Sequence, residues 1–297
     1  MTHSEKLAYG ALKFFSKLIA RGGLRRAAFL GSAAGSLAWR LLRYRRTVAT
    51  ENIRVHLDVP GDRAAMIARE SFRHTFRSFL DITVAGSVSL FSKDGSLACE
   101  DLDHLLGPLE SGRPIVAATA HFGAWELLAG LLGETRQMGF DKPMLLIARA
   151  YPNEGVQRFI EEQRCNRGIT MAANKSVVPT ILRTLRAGGI AAFLVDHKPH
   201  KSDAVFLPFL KADTAVNLGP AVLAMRTNAL VLPIFLAREG TRHRLIVRKA
   251  LDPLDLKGGR KENIRAIAAF YTNAVEEVIR EYPEQWFWMH NRWKAPV

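Results

Sequence analysis

His121 and Glu126 are the pair in this chain whose types and spacing suit proton transfer. An imidazole can take a proton from a hydroxyl if one ring nitrogen is free. A carboxylate on the other nitrogen fixes the tautomer and stabilises the imidazolium that forms. In one continuous helix, five residues turn through about 500°, so the two side chains would diverge. The spacing therefore works only at a loop-to-helix junction, with His121 before the helix and Glu126 in its first turns. Without that junction the pair reads as a surface histidine and a solvated glutamate.

The flanking residues supply such a junction. Residues 115–120 are apolar or small and include Ile115 and Val116, as a buried strand requires. From Ala124 onward, Trp-Glu-Leu-Leu-Ala-Gly-Leu-Leu reads as a helix. His121 then falls where a strand gives way to a helix, the place where α/β sheets carry ligands. Further strands are expected at 142–149, 169–172, 190–195, 229–237 and 243–248, with a short one within 97–104. Helices are expected at 63–85, 103–111, 153–168, 177–187, 218–227 and 263–282, and a loop at 86–95. Met66, Ile67, Phe72, Phe76, Phe79 and Leu80 are the expected core positions of the 63–85 helix, and His74 on it reads as structural or exposed. Arg149 and Asp196 each end an apolar strand, as His121 does. This alternation implies an α/β fold with a mixed central sheet flanked by helices.

The chain has 297 residues, a net charge of +14 and 48% hydrophobic residues, enough for a large core. The excess charge implies a polyanionic partner, for which nucleic acid and anionic membrane lipid both qualify. No nucleic-acid signature accompanies the basic residues, so no nucleic-acid partner is expected. Cys99 and Cys165 are the two cysteines, too few for a disulfide framework, which fits a reducing compartment. No secretory signal, Gly-x-Ser-x-Gly elbow, Walker loop, dinucleotide fingerprint or His-Glu-x-x-His is present.

Much of the charge lies at the amino terminus. Residues 1–60 hold eleven Lys or Arg against three acids. Apolar stretches at 7–20 and 27–42 are interrupted by Lys13, Lys17 and Arg40, and neither reaches the roughly 20 clean residues of a bilayer span. Apolar faces, interleaved cations and the flanking Arg43-Tyr44-Arg45-Arg46 suit an amphipathic interfacial helix. An amphipathic pair packed on the core is the alternative. Two domains are expected: residues 1–60 as a membrane-associating segment and 61–297 as the domain carrying the site.

The string His121-Phe122-Gly123-Ala124-Trp125-Glu126 resembles the His-Phe-Gly-x-Trp-Glu motif of the lipid A biosynthesis acyltransferase family, within the wider His-x4-Asp/Glu acyltransferase group. The closing run from Pro283-Glu284-Gln285-Trp286 to Arg292-Trp293-Lys294 resembles that family's last signature. Arg45-Arg46 with Asn52-Ile53, Arg149, Arg164 with Gly168, and Asp196 also match in order. His197 stands where the family has Gln, and Leu210-Lys211 where it has Phe-Gly. The resemblance implies acyl transfer from an acyl thioester, on acyl carrier protein or CoA, to a hydroxyl of a lipid A precursor. It places the enzyme at the cytoplasmic face of an inner membrane. His121 would be the general base and Glu126 its orienting carboxylate. Arg149, Arg164, Asp196 and amides near Gly123 are candidates for binding substrate or the oxyanion, Arg149 and Arg164 being equally readable as salt-bridging residues. The chemistry needs no metal and no cofactor. Another lipid acceptor, such as a lysophospholipid, glycolipid or aminolipid, and a non-enzymatic membrane-binding role are the alternatives.

Overall fold

The computed structural model describes residues 1–86, 97–165, 168–172 and 177–293. Most of the loop expected at 86–95, and Lys294 of the closing run, lie outside them. Four helices come first: α1 (His3–Ala20), α2 (Gly23–Leu41), α3 (Arg43–Leu57) and α4 (Gly61–Asp81). There follow β1 (Leu97–Cys99), α5 (Asp103–Glu110), β2 (Ile115–Thr119), α6 (Trp125–Glu134), β3 (Met144–Ile147), α7 (Glu154–Arg164), β4 (Ile169–Ala172), α8 (Val177–Arg186) and β5 (Ile190–Leu194). The chain continues through β6 (Ala204–Phe209), β7 (Ala212–Asn217), α9 (Gly219–Thr227), β8 (Leu230–Glu239), β9 (Arg242–Val247) and α10 (Arg260–Glu281).

Seven strands form one mixed sheet in the order β1-β9-β8-β2-β5-β3-β4. Its pairs are parallel except β8 with β9, which form an antiparallel hairpin. β2 lies at the centre, in register with β5 from Ile115↔Ile190 to Thr119↔Leu194. Its side chains alternate between the two faces, as a strand's must. Val116 and Ala118 join one buried cluster with Phe193, Phe235, Tyr271 and Trp286. Ile115 and Ala117 join the other with Leu127, Leu131 and Ile234. Both faces of the sheet are covered, so its central strands read as continuous apolar runs.

The expected strands and helices are present to within a few residues. The hairpin β6–β7 is additional, a separate two-stranded sheet. Its turn is Leu210-Lys211, both in the left-handed region at φ 48° and 65°. The usual sequence cue for such a turn is Gly or Asn, and neither occurs there.

The buried face of α4 differs from the expected one. Phe72 is fully buried, but Met66 and Phe79 are 70% and 46% exposed. The buried positions are instead Ala64, Ala68, Ser71, Phe72, Thr75, Ser78 and Asp81. On another side of α4, along Phe72 to Arg77, α2 lies very close: a Cβ at Gly31 would stand 2.6 Å from Arg77 Cα, and one at Gly35 2.6 Å from the Phe72 carbonyl oxygen. Leu7, Phe14 and Phe15 of α1 and Phe29, Leu37 and Leu41 of α2 are exposed. Among the described residues no helix is long and apolar enough to cross a membrane.

Candidate active site

The strand-to-helix junction after β2 carries His121. The chain turns sharply there through Gly123, at φ +55°, and only a residue without a Cβ fits: a Cβ would lie 2.0 Å from the Leu236 carbonyl oxygen on β8. The turn is clamped from several sides. The Gly123 N–H donates to the Gln285 carbonyl at 2.9 Å and the Ala124 N–H to the Leu236 carbonyl at 2.7 Å. The Ser78 hydroxyl of α4 donates to the Gly123 carbonyl at 2.5 Å. These two amides are committed to protein carbonyls, so neither is free to receive a developing oxyanion.

Asp196 follows β5, the strand beside β2, and meets His121 at the carboxyl edge of the sheet. The His121 Nδ1–H donates to Asp196 Oδ1 at 2.9 Å, and the His121 backbone N–H donates to Oδ2 at 2.9 Å. Trp286 Nε1–H also donates to Oδ2, at 2.8 Å. The carboxylate is buried, whereas the imidazole side chain keeps 30% of its surface. Burial alone would raise the Asp196 pKa; the His121 cation and the hydrogen bonds from His121 and Trp286 reverse this and hold it well below the usual carboxylate range. Burial disfavours the His121 imidazolium, but Asp196 outweighs that and raises the imidazole pKa. With Nδ1 protonated and bonded to a fixed anion, Nε2 is the basic nitrogen.

Glu126 has a different hydrogen-bond partner from the one its spacing suggested. It lies in the first turn of α6 and forms a two-point pair with Arg164 at the end of α7: Nη2 to Oε1 at 2.6 Å and Nε to Oε2 at 2.9 Å. Trp125 Nε1–H donates to Oε1 at 3.2 Å. Both charges are buried, at 13% and 8% side-chain exposure. Burial opposes the Arg164 charge, but Glu126 outweighs it and raises the guanidinium pKa. Glu126 still acts on His121 through space, favouring the imidazolium.

The closing segment supplies further parts of the site. Here the Gln285 side chain bridges the Arg238 backbone of β8, accepting from its N–H at 2.9 Å and donating to its carbonyl at 2.8 Å. Phe287 N–H donates to the His121 carbonyl at 3.1 Å, and Phe122 and Trp286 form an isolated antiparallel bridge. Asn52 of α3 holds this segment by donating to the Trp288 and His290 carbonyls, each at 3.2 Å. Trp286 and Trp288 are fully buried. Trp293 stacks on His56 with ring centroids 3.5 Å apart. The sequence marks this run as distinctive; that Gln285 and Trp286 position the His121 turn is visible only in three dimensions.

Arg149 is exposed just past β3. His197 is exposed and engages the Leu194 carbonyl through Nδ1 at 2.7 Å, with Asn217 3.3 Å from Nε2. A small apolar pocket opens beside the Glu126–Arg164 pair, between β2, β3, β5 and α6. Leu128, Leu132, Leu146, Ala192 and Ile234 line it. Trp125 belongs to its wall and packs edge-on to the His121 ring, with centroids 5.6 Å apart. Among the described residues no cluster of His, Cys, Asp and Glu could hold a metal ion.

A histidine with one nitrogen locked by a buried carboxylate, beside an apolar pocket, has the arrangement of a general base poised toward a hydroxyl. The chain belongs to the bacterial lipid A biosynthesis acyltransferase family, whose pattern matches residues 2–295. It is 24% identical over 276 residues to the lipid A biosynthesis palmitoleoyltransferase of Escherichia coli K12, covering 90% of this chain and 84% of that one. It is 23% identical over 275 residues to the lipid A biosynthesis lauroyltransferase of the same organism, with the same coverage. A phosphatidylinositol mannoside acyltransferase of Mycolicibacterium smegmatis is 24% identical over 200 residues, 66% of this chain and 62% of that one.

Proposed function

We propose that the protein transfers a fatty acyl chain from an acyl thioester, carried by acyl carrier protein or CoA, to a hydroxyl of a lipid A precursor. The observation that carries this reading is the His121–Asp196 pair beside the apolar pocket. His121 Nε2 takes the hydroxyl proton as the oxygen attacks the thioester carbonyl carbon. Asp196 holds the tautomer and stabilises the imidazolium. The tetrahedral intermediate expels the thiolate, which receives the proton back from His121, giving an ester and a thiol. The acyl chain lies in the pocket between β2, β3 and α6. Glu126 and Arg164 fix the pocket mouth, and Glu126 adds negative potential favouring the imidazolium. Arg149 and Arg164 supply positive charge for the oxyanion or for substrate phosphates.

The amino-terminal helices, with exposed Phe14, Phe15 and Phe29 among basic residues, hold the enzyme on anionic lipid. In this reading residues 1–60 are the membrane-associating segment and 61–297 the acyltransferase domain, at the cytoplasmic face of an inner membrane. The mannoside acyltransferase relative supports a second reading, in which the chemistry is the same and the acceptor is another lipid.

Mass spectrometry of lipid A and total lipid from cells expressing wild type or His121→Ala tests both. An added acyl mass on lipid A with wild type alone supports the first reading. The same gain on another lipid moves the acceptor. No difference in any lipid, with both proteins folded and in the membrane, rejects acyl transfer and favours a membrane-binding role.

A further inference from the structure

A second cleft lies between α2, α4 and the β8–β9 turn. It shares no lining residue with the apolar pocket. Four arginines line it, Arg25, Arg73, Arg77 and Arg238, against one carboxylate, Asp81. The close approach at Gly31 and Gly35 brings Ser32 and Ser36 onto the α4 arginines. Arg77 Nε donates to Ser32 Oγ at 2.5 Å and Arg73 Nε to Ser36 Oγ at 3.0 Å. Each serine in turn donates to a carbonyl of its own helix, Ala28 and Ser32 respectively. The serines are neutral, so they orient the guanidinium groups without cancelling their charge. Glu70 pairs with Arg73 at 3.0 Å, but Arg77 forms no ion pair among the described residues.

The cleft floor points the same way. Arg238 is buried and bonded to Asp81 and Ser78, yet its Nη1 has no partner. His243, also buried and lining the cleft, leaves Nδ1 without a partner. Buried polar atoms of this kind are costly unless something pairs with them. The crowding of cations is felt nearby: burial, then Arg238, Arg77 and Arg73, push the adjacent His74 down to about 3. Leu24, Ala28 and Phe29 form an apolar wall, and Phe29 is 72% exposed.

We propose that this cleft binds a phosphate group, with Arg77 and Arg238 as its principal donors. Four guanidinium groups converging on one cleft, with Arg73 and Arg238 each paired to a single carboxylate and Arg77 to none among the described residues, suit phosphate, whose oxygens accept charge-assisted hydrogen bonds from forked donors. The group can arrive on an acidic phospholipid, whose chains would run along the Phe29 wall, or as a free ion.

The test is isothermal titration of the full chain in nonionic detergent with three probes: inorganic phosphate, dihexanoylphosphatidic acid and dihexanoylphosphatidylcholine. Phosphatidic acid or phosphate, or both in competition, should bind one per chain. Arg77→Gln should weaken binding about ten-fold, as loss of a charge-assisted bond implies. Thr241→Glu, an exposed change at the cleft rim, should do the same and decides the matter if Arg77→Gln does not fold. His121→Ala should bind as wild type. Binding of phosphatidic acid alone assigns a lipid headgroup, and of phosphate alone a free ion. No binding by either, equal binding of phosphatidylcholine, or undiminished binding by the folded variants overturns the proposal.

Discussion

Asp196 grips His121 at two points, taking the imidazole Nδ1–H on one oxygen and the backbone N–H on the other, across 75 residues of sequence. A carboxylate bonded to both side chain and backbone fixes where the ring is as well as which nitrogen carries the proton. Trp286 Nε1–H bonds the same oxygen as the backbone N–H and anchors the carboxylate itself.

Asp196→Asn should lower kcat by about 10²- to 10⁴-fold, the range expected when a general base loses its tautomer and its stabilising charge. The pH profile gives the more specific sign. The base must be neutral, so the rate rises with pH as His121 deprotonates. Asp196 raises the His121 pKa, which places the wild-type acid limb above the ordinary imidazole value. The residual activity of Asp196→Asn should show that limb at lower pH. An unmoved limb, read from initial rates across pH 5–9 (about the range in which imidazoles titrate), would show that Asp196 does not act through His121.

The Glu126–Arg164 pair makes a test by single and double replacement. Removing one partner strands a buried charge, so Arg164→Met should destabilise the fold by about 3–5 kcal/mol. Glu126→Gln combined with Arg164→Met should recover much of that in denaturant unfolding, because no isolated charge remains. Activity should stay low in the double variant if the pair shapes the pocket mouth. Recovery of both would assign the pair a purely structural role.

Gly123→Ala should impair both folding and catalysis. The new Cβ would meet the Leu236 carbonyl oxygen at 2.0 Å, and the residue must also keep φ +55°. Relief requires the turn to move away from β8, which carries His121 with it. A variant that melts and turns over like wild type would refute this account of the turn.

Lys211→Gly should stabilise the protein. Lys211 sits at φ 65° with an exposed side chain, paired to the exposed Asp58 at 2.7 Å. The left-handed conformation costs a non-glycine residue about 1–2 kcal/mol, while an exposed ion pair is screened and contributes little. A rise in melting temperature checks this; a fall would mean that the ion pair outweighs the backbone strain.

Ala192→Leu should shorten the preferred acyl chain. Ala192 lines the apolar pocket from β5, and the larger side chain takes space that hydrocarbon would fill. Each methylene excluded from the pocket forfeits about 0.8 kcal/mol of burial, so competition between donors of different length should shift toward shorter chains. An unchanged product distribution by mass spectrometry would place the acyl chain elsewhere.

The sequence by itself determined the α/β alternation, the strand-to-helix junction at His121 and the family, because these are written in local periodicity and in two short strings of distinctive residues. It also brought out Asp196, Arg149 and Arg164 as ends of apolar runs or matches to a motif. Which carboxylate bonds His121 was decided by tertiary structure. Hydrogen bonding to β5 places Asp196 beside the junction, and Arg164 draws Glu126 into a two-point pair. The buried face of α4 was likewise decided by tertiary packing, which turns Ala64, Ala68, Ser71 and Ser78 inward and leaves Met66 and Phe79 exposed. The β6–β7 hairpin escaped a local reading because its turn uses Leu210 and Lys211 at positive φ, held by the Leu210 N–H donating to Glu276 and the His56 bond to the Leu210 carbonyl. Local pattern specifies which elements form; partners distant in sequence select which polar groups meet, since each buried donor and acceptor must be satisfied within the whole fold.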